Sequence, residues 1–175
     1  MSEVSNQVPS QVPSQAMHRP RPTEGWSEKW HYRFLEVADC IAGWSKDPSR
    51  GVGCVIVSPS KQIISTGFNG LPRGVEDRPD RLERPAKYDL IVHAELNAIV
   101  QCARNGVTPI GSVLYSTFFP CIQCTLAIVQ AGVAEIVTHE VTESDRRWHE
   151  SIEKSRQVYE EAGIPLLVLP RKSGS

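Results

Sequence analysis

Two short segments constrain this chain more than any other part of it. They are His93-Ala94-Glu95 and, after a gap, Pro120-Cys121-Ile122-Gln123-Cys124. Together they supply one imidazole, two thiols and a spare carboxylate. Three N/S ligands suit a tetrahedral zinc ion with an open fourth position. Such an ion lowers the pKa of a water to about 7. Glu95 is not needed as a ligand and stands close to His93, so it is free to move protons beside the ion. The fold therefore has to bring the two segments to one point. His93 opens one expected helix and Cys121 another, and Cys124 falls on the same face of that helix's first turn. A helix N-terminus favours the thiolate form that binds metal. A purely structural zinc would want a fourth Cys or His. His18, His31, His139 and His149 stand outside any ligand-like cluster, and His139 and His149 read as loop or surface residues.

The rest of the chain supplies a frame for such a site. Ser27 is placed to cap a helix running to about residue 43, with Trp30, Phe34, Leu35, Val37, Ala38 and Ile41 on its apolar face. Residues 53–57 form a short apolar run fit for a buried strand. Ser58-Pro59-Ser60 is a turn, and residues 62–67 return as the second strand of a hairpin. A polar stretch over residues 68–90 reads as a long functional loop. Helices are expected over 93–105, 121–131 and 146–162, stopped by Gly106, Gly132 and Gly163. Strands are expected over 112–117, 134–138 and 165–169. Strand–helix–strand–helix–strand implies parallel strands with right-handed crossovers. With the hairpin this makes an α/β fold, a three-layer α/β/α arrangement around a mixed five-stranded sheet. In open α/β sheets, ligands bind beyond the strand ends, where these helices start.

Residues 1–23 read as a disordered tail and 24–175 as one domain. The tail carries the near-repeat Gln7-Val8-Pro9-Ser10, Gln11-Val12-Pro13-Ser14 and the basic cluster His18, Arg19 and Arg21. The formal net charge of -1 argues for a small-molecule substrate and against a nucleic-acid polymer. No apolar run approaches the roughly 20 residues that cross a bilayer. The N-terminus lacks the apolar core of a signal peptide, so the expected location is cytoplasmic. Five cysteines without such a leader argue against a disulfide framework. Cys40, Cys54 and Cys102 read as core thiols.

The His-x-Glu and Cys-x-x-Cys pair is the signature of zinc-dependent nucleobase deaminases. Further segments narrow the resemblance: Trp44-Ser45-Lys46-Asp47-Pro48-Ser49-Arg50-Gly51-Val52-Gly53, Gly67-Phe68-Asn69-Gly70-Leu71-Pro72-Arg73-Gly74 and Val92-His93-Ala94-Glu95-Leu96-Asn97-Ala98-Ile99. Over roughly residues 30–170 the chain resembles the deoxycytidylate (dCMP) deaminase family. That resemblance implies hydrolytic deamination of dCMP to dUMP at one zinc ion held by His93, Cys121 and Cys124, with Glu95 as the proton carrier. From their placement, backbone groups near Ala94 and from Thr117 to Pro120 would read the base edge, and Phe118 and Phe119 either wall the base or pack in the core; the resemblance adds Asn69 as the contact to the sugar hydroxyl. It also implies a homo-oligomer, commonly a hexamer, with dCTP and dTTP as effectors and Mg2+ accompanying the nucleotide. Phe68, Gly70 and Arg73 would then contribute to the effector site. The chain departs from many members at Phe118-Phe119, and between residues 76 and 89, where no Cys or His offers a second zinc. Arg78, Arg81, Arg84 and Lys87 of that stretch suggest phosphate contact, set against Glu76, Asp77, Asp80, Glu83 and Asp89 in a solvated charged loop. Alternative readings are a deaminase of dCTP or of a 5-modified deoxycytidine nucleotide, a polymer-editing deaminase, and a nucleotide-binding regulatory protein without catalysis.

Overall fold

The computed structural model describes residues 21–172. The near-repeat at 7–14 and the His18-Arg19 pair lie outside the described residues.

A glycine and four apolar residues, Gly-Cys-Val-Ile-Val, form strand β1 (Gly53–Val57), and all five are buried. A strand with no polar face must be covered on both sides. Cys54 and Ile56 accordingly enter one core cluster, and Val55 and Val57 the other. β2 (Ile63–Phe68) returns antiparallel beside it, with Gly53 opposite Phe68 and a register shift at Ile56/Val57. On the other side β1 pairs antiparallel with β3 (Val113–Ser116). β4 (Glu135–His139) and β5 (Leu166–Leu169) continue the sheet in parallel. The order is β2-β1-β3-β4-β5, the expected mixed five-stranded sheet.

Helix α1 (Glu28–Ala42) covers one face with Tyr32, Phe34, Leu35, Ala38 and Ile41. Cys40 lies off that stripe and is exposed, so it is not the core thiol expected, whereas Cys54 and Cys102 are buried. Trp30 and Val37 are half-buried at the rim of the same face. The stretch expected to be one long loop contains two single-turn helices, α2 (Pro79–Leu82) and α3 (Lys87–Leu90). The opposite face of the sheet is covered by α4 (Ala94–Asn105), α5 (Ile122–Gln130) and α6 (His149–Glu161). The helix expected from residue 146 begins earlier, as a 3-10 segment at Glu143–Trp148. A capping box of Thr142 and Asp145 starts it there: Thr142 N–H and Oγ1 donate to Asp145 Oδ2 at 2.9 and 3.0 Å.

Two helices sit unusually close to the sheet. A Cβ on Gly53 would meet Ala38 O at 1.9 Å, and one on Gly67 would meet Ala94 O at 2.3 Å. Glycine lets α1 and α4 rest directly on β1 and β2.

The folded part begins earlier than residue 24. Thr23 is buried, and its Oγ1 donates to Glu135 Oε2 at 2.7 Å. Arg21 pairs with the other carboxylate oxygen, its Nε donating at 3.0 Å. The polar character of residues 21–23 hid this, because their anchor is one carboxylate 112 positions away. His139 is also buried rather than surface or loop. It ends β4 on the α1 face, with Nε2 3.5 Å from an Asp39 carboxylate oxygen. His149 is exposed at the start of α6. Among the described residues no helix is long and apolar enough to cross a membrane.

Candidate active site

His93 is the N-cap of α4 and Cys121 the N-cap of α5, each with an extended backbone and with its side chain making no capping hydrogen bond to its helix. Cys124 follows in the first turn of α5. His93 Nδ1 lies 3.3 Å from Cys121 Sγ and 3.5 Å from Cys124 Sγ. All three ligand atoms fall within 4.8 Å of one another. Zinc bonds of about 2.0–2.3 Å at tetrahedral angles imply about 3.5 Å between ligand atoms. The set fits a zinc ion bound through Nδ1 and two thiolates. The Cys124 hydrogen bond and then His93 draw the Cys121 thiol down to about 4 against the effect of burial. The same thiol–thiol bond, together with burial, pushes Cys124 upward. The Cys121 bond raises the His93 imidazole.

Glu95 is buried in the first turn of α4 and accepts a hydrogen bond from Ser116 Oγ at 3.0 Å. Burial raises its carboxyl above the ordinary range, against its own backbone N–H, His93 and Ser116. A carboxyl held up in this way suits proton shuttling.

The cavity above these groups is lined by His93, Glu95 and Cys121 at its floor and by Phe118, Phe119, Tyr88 and Trp148 among its walls. Its rim is braced by charge pairs. Lys87 Nζ donates to Asp47 Oδ1 at 2.7 Å, with both side chains nearly buried. Arg50 donates to Asp145 at 2.5 Å and lies over the Phe118 ring, 4.3 Å from its centroid. Asn69 ties the two sides of the rim together. Its Oδ1 accepts from Val52 N–H at 2.7 Å, and its Nδ2 donates to Arg50 O at 3.0 Å and Asp47 Oδ2 at 3.3 Å.

Of the residues expected to bind substrate, Asn69, Ala94 and Phe118 line this cavity. Thr117 and Pro120 do not. Thr117 extends the strand pairing, its N–H donating to Gly53 O at 3.0 Å and its Oγ1 accepting from Gly53 N–H at 3.1 Å. Pro120 O accepts from Ser155 Oγ at 3.2 Å. Phe68 and Arg73 flank a separate cavity along β2. Gly70 is not among its lining residues; it exchanges backbone hydrogen bonds with Val92, next to His93. Arg84 and Lys87 line the main cavity, whereas Arg78 pairs with Asp80 and Arg81 donates to Glu76 O. Sequence reading missed Ser116, Arg147, Trp148 and the Asp47–Lys87 pair. Only the Thr142-Asp145 capping box signalled that a structured segment precedes residue 146.

Residues 28–140 match the family model described as the cytidine and deoxycytidylate deaminase zinc-binding region. The uncharacterized deaminase in the luxG 3'region of Aliivibrio fischeri is 41% identical over 143 residues, covering 81% of this chain and 95% of that protein. The deoxycytidylate deaminase of Homo sapiens is 35% identical over 144 residues, covering 78% of this chain and 77% of that one. The crystal structure of the dCMP deaminase from cyanophage S-TIM5 in complex with dCMP and dUMP superposes with a TM-score of 0.67. It has 24% identity and covers 82% of this chain and 98% of that one, which is a likeness of fold.

Proposed function

We propose a reaction for this chain, which belongs to the cytidine and deoxycytidylate deaminase family: hydrolytic deamination of dCMP, in which water and dCMP give dUMP and ammonia. The observation that carries it is the convergence of His93, Cys121 and Cys124 beside the buried Glu95 at the floor of an aromatic-walled cavity. The 35% identity to deoxycytidylate deaminases supports the choice of substrate.

His93, Cys121 and Cys124 would hold the zinc ion. When bound, zinc supplies Lewis acidity and makes a water nucleophilic at neutral pH. Glu95 would take one proton from the attacking water and pass it to the ring nitrogen, then carry the second proton, from the hydroxyl added to the ring carbon, to the amine that leaves as ammonia. The Ser116 hydroxyl steadies the carboxylate that does this. Phe118 and Phe119 wall the base and exclude water. The amide protons of Asn69 are already donated, so a sugar hydroxyl would meet it as a donor to Oδ1. The same reading places the protein in the cytoplasm as a homo-oligomer. It assigns the β2 cavity flanked by Phe68 and Arg73 to a dCTP or dTTP effector with magnesium.

Ammonia release from dCMP, dCTP, CMP, deoxycytidine and 5-methyl-dCMP, with and without dCTP or dTTP, tests the reading. dCMP is expected to be the preferred substrate. Preference for dCTP or the 5-methyl nucleotide would move the assignment, and silence on every cytosine nucleotide would end it. Glu95→Gln should lower turnover by about 10²–10⁴-fold while zinc content, measured by emission spectrometry, stays unchanged. Cys121→Ala should lose zinc and activity together, so an active zinc-free variant would sink the ligand assignment.

A further inference from the structure

Two of the zinc ligands open helix α5, yet the residue at its N-cap does not cap it. A Ser, Thr, Asp or Asn there would turn its own oxygen onto the first free N–H groups. Cys121 makes no such bond, and its thiol belongs to the cluster with His93 and Cys124. Helix α6 supplies what is missing. Ser151 Oγ accepts from Ile122 N–H at 3.0 Å. One turn on, Ser155 Oγ has its single proton between two carbonyls, Pro120 O at 3.2 Å and Ser151 O of its own helix at 2.8 Å. One turn further, the Tyr159 hydroxyl oxygen accepts from Thr125 Oγ1 at 3.0 Å. Positions i, i+4 and i+8 share one face of a helix, so α6 presents a stripe of three hydroxyls to α5. Ser155 and Tyr159 are buried, where a polar group is costly unless it is hydrogen-bonded. The three contacts fall on the residue before Cys121, the residue after it and the residue after Cys124. They hold the peptide planes on both sides of the first thiol and the helical turn that carries the second. A hydroxyl does this without adding charge beside two thiolates.

We propose that Ser151, Ser155 and Tyr159 form a hydroxyl clamp that positions Cys121 and Cys124 for the zinc ion. They are positioning residues, acting through the backbone and first turn of the ligand segment. The inference deepens the deaminase reading and rests on its zinc ligands, not on the identity of the nucleotide. The thiols are aimed before the ion arrives, so the clamp sets how tightly the ion is kept.

The test follows zinc release from the loaded protein into excess chelator. Ser151 is half-buried, and Ser151→Ala should release zinc about 10–100-fold faster, the scale on which partners of metal ligands act. Ser151→Thr keeps the acceptor and should restore slow release. In the cobalt-loaded protein, Ser151→Ala and Tyr159→Phe should each shift the visible d–d absorption, which reports the geometry of the ligands. Thr23→Ala separates positioning from stability. It removes another buried hydroxyl, one that donates to Glu135. Glu135 lies two positions before Val137 on β4 and so faces the α1 side of the sheet. That variant should melt lower and release zinc at the wild-type rate. Wild-type release and spectra in Ser151→Ala and Tyr159→Phe would overturn the proposal, as would equally fast release from Thr23→Ala. A wild type that takes up no zinc would overturn the clamp together with the ligand assignment. Ammonia release from dCMP judges the reaction separately: a protein silent on dCMP whose Ser151→Ala variant sheds zinc faster loses the reaction and keeps the clamp.

Discussion

Asp47 shows how much of this site depends on a single side chain that does no chemistry. Its carboxylate accepts from Lys87 Nζ at 2.7 Å, from Ser49 N–H at 2.8 Å and from Asn69 Nδ2 at 3.3 Å. Burial alone would raise the carboxyl, but the Lys87 hydrogen bond and the backbone donors outweigh it, and it is held below its ordinary 3.8. A depressed carboxyl contributes stability that is complete above the unfolded value and is lost as pH falls through the folded one. Urea midpoints should therefore drop as pH is taken below about 4, and Asp47→Asn should remove that part of the acid dependence. At neutral pH the same substitution leaves Lys87 buried without its partner and should destabilise by about 3–5 kcal/mol. An unchanged midpoint at both pH values would refute this account. The meeting of His93, Cys121 and Cys124 beside Glu95 was legible in the sequence because zinc chemistry accepts few residue types at fixed spacing. Asp47 and Lys87 were not. They stand 40 positions apart, and each looks like an ordinary loop charge until the fold closes over both.

At the scale of elements, the site is aimed by the way helix α4 rests on strand β2. Gly67 makes that contact: a Cβ there would fall 2.3 Å from Ala94 O and 2.5 Å from Ala98 N, both backbone atoms that cannot swing away. Gly67→Ala should push the start of α4 off the sheet and carry His93 and Glu95 with it. The expected loss is about 1–3 kcal/mol of stability together with weaker zinc retention, read by thermal melting and by competition with a chelator. A variant that melts lower yet holds zinc as tightly as wild type would show that helix placement does not aim the ligands. Longer elements were readable because their ends carry chemical signals. Gly106, Gly132 and Gly163 stop helices at φ 66°, 78° and 64°, where other residues are strained. The stretch from residue 76 to 90 was not readable, since a helix of four residues is too short to show a periodicity. The early start before residue 146 is likewise a local hydrogen-bonding choice, made by Thr142 and Asp145 rather than by apolar spacing.

At the scale of the whole molecule, the beginning of the described chain is tied to the sheet through one buried charge. Glu135 is fully enclosed, and Arg21 and Thr23 supply its donors. A truncation that starts the chain at Glu24 removes both and strands the carboxylate, so it should destabilise by about 3–5 kcal/mol. Adding Glu135→Gln to the truncated chain should restore part of that loss, and equal midpoints for all three proteins would contradict the tie. A second long-range link joins His93 to Cys121, 28 positions apart, with β3 between them. β3 is where the antiparallel half of the sheet meets the parallel half. The three ligand atoms therefore meet only after that strand has paired on both edges. Loading the ion becomes a checkpoint on assembly: a chain with its central strand out of register has nowhere to put the metal. Refolding should then form the sheet at the same rate whether zinc is present from the start or added later, with the ion slowing only the unfolding step.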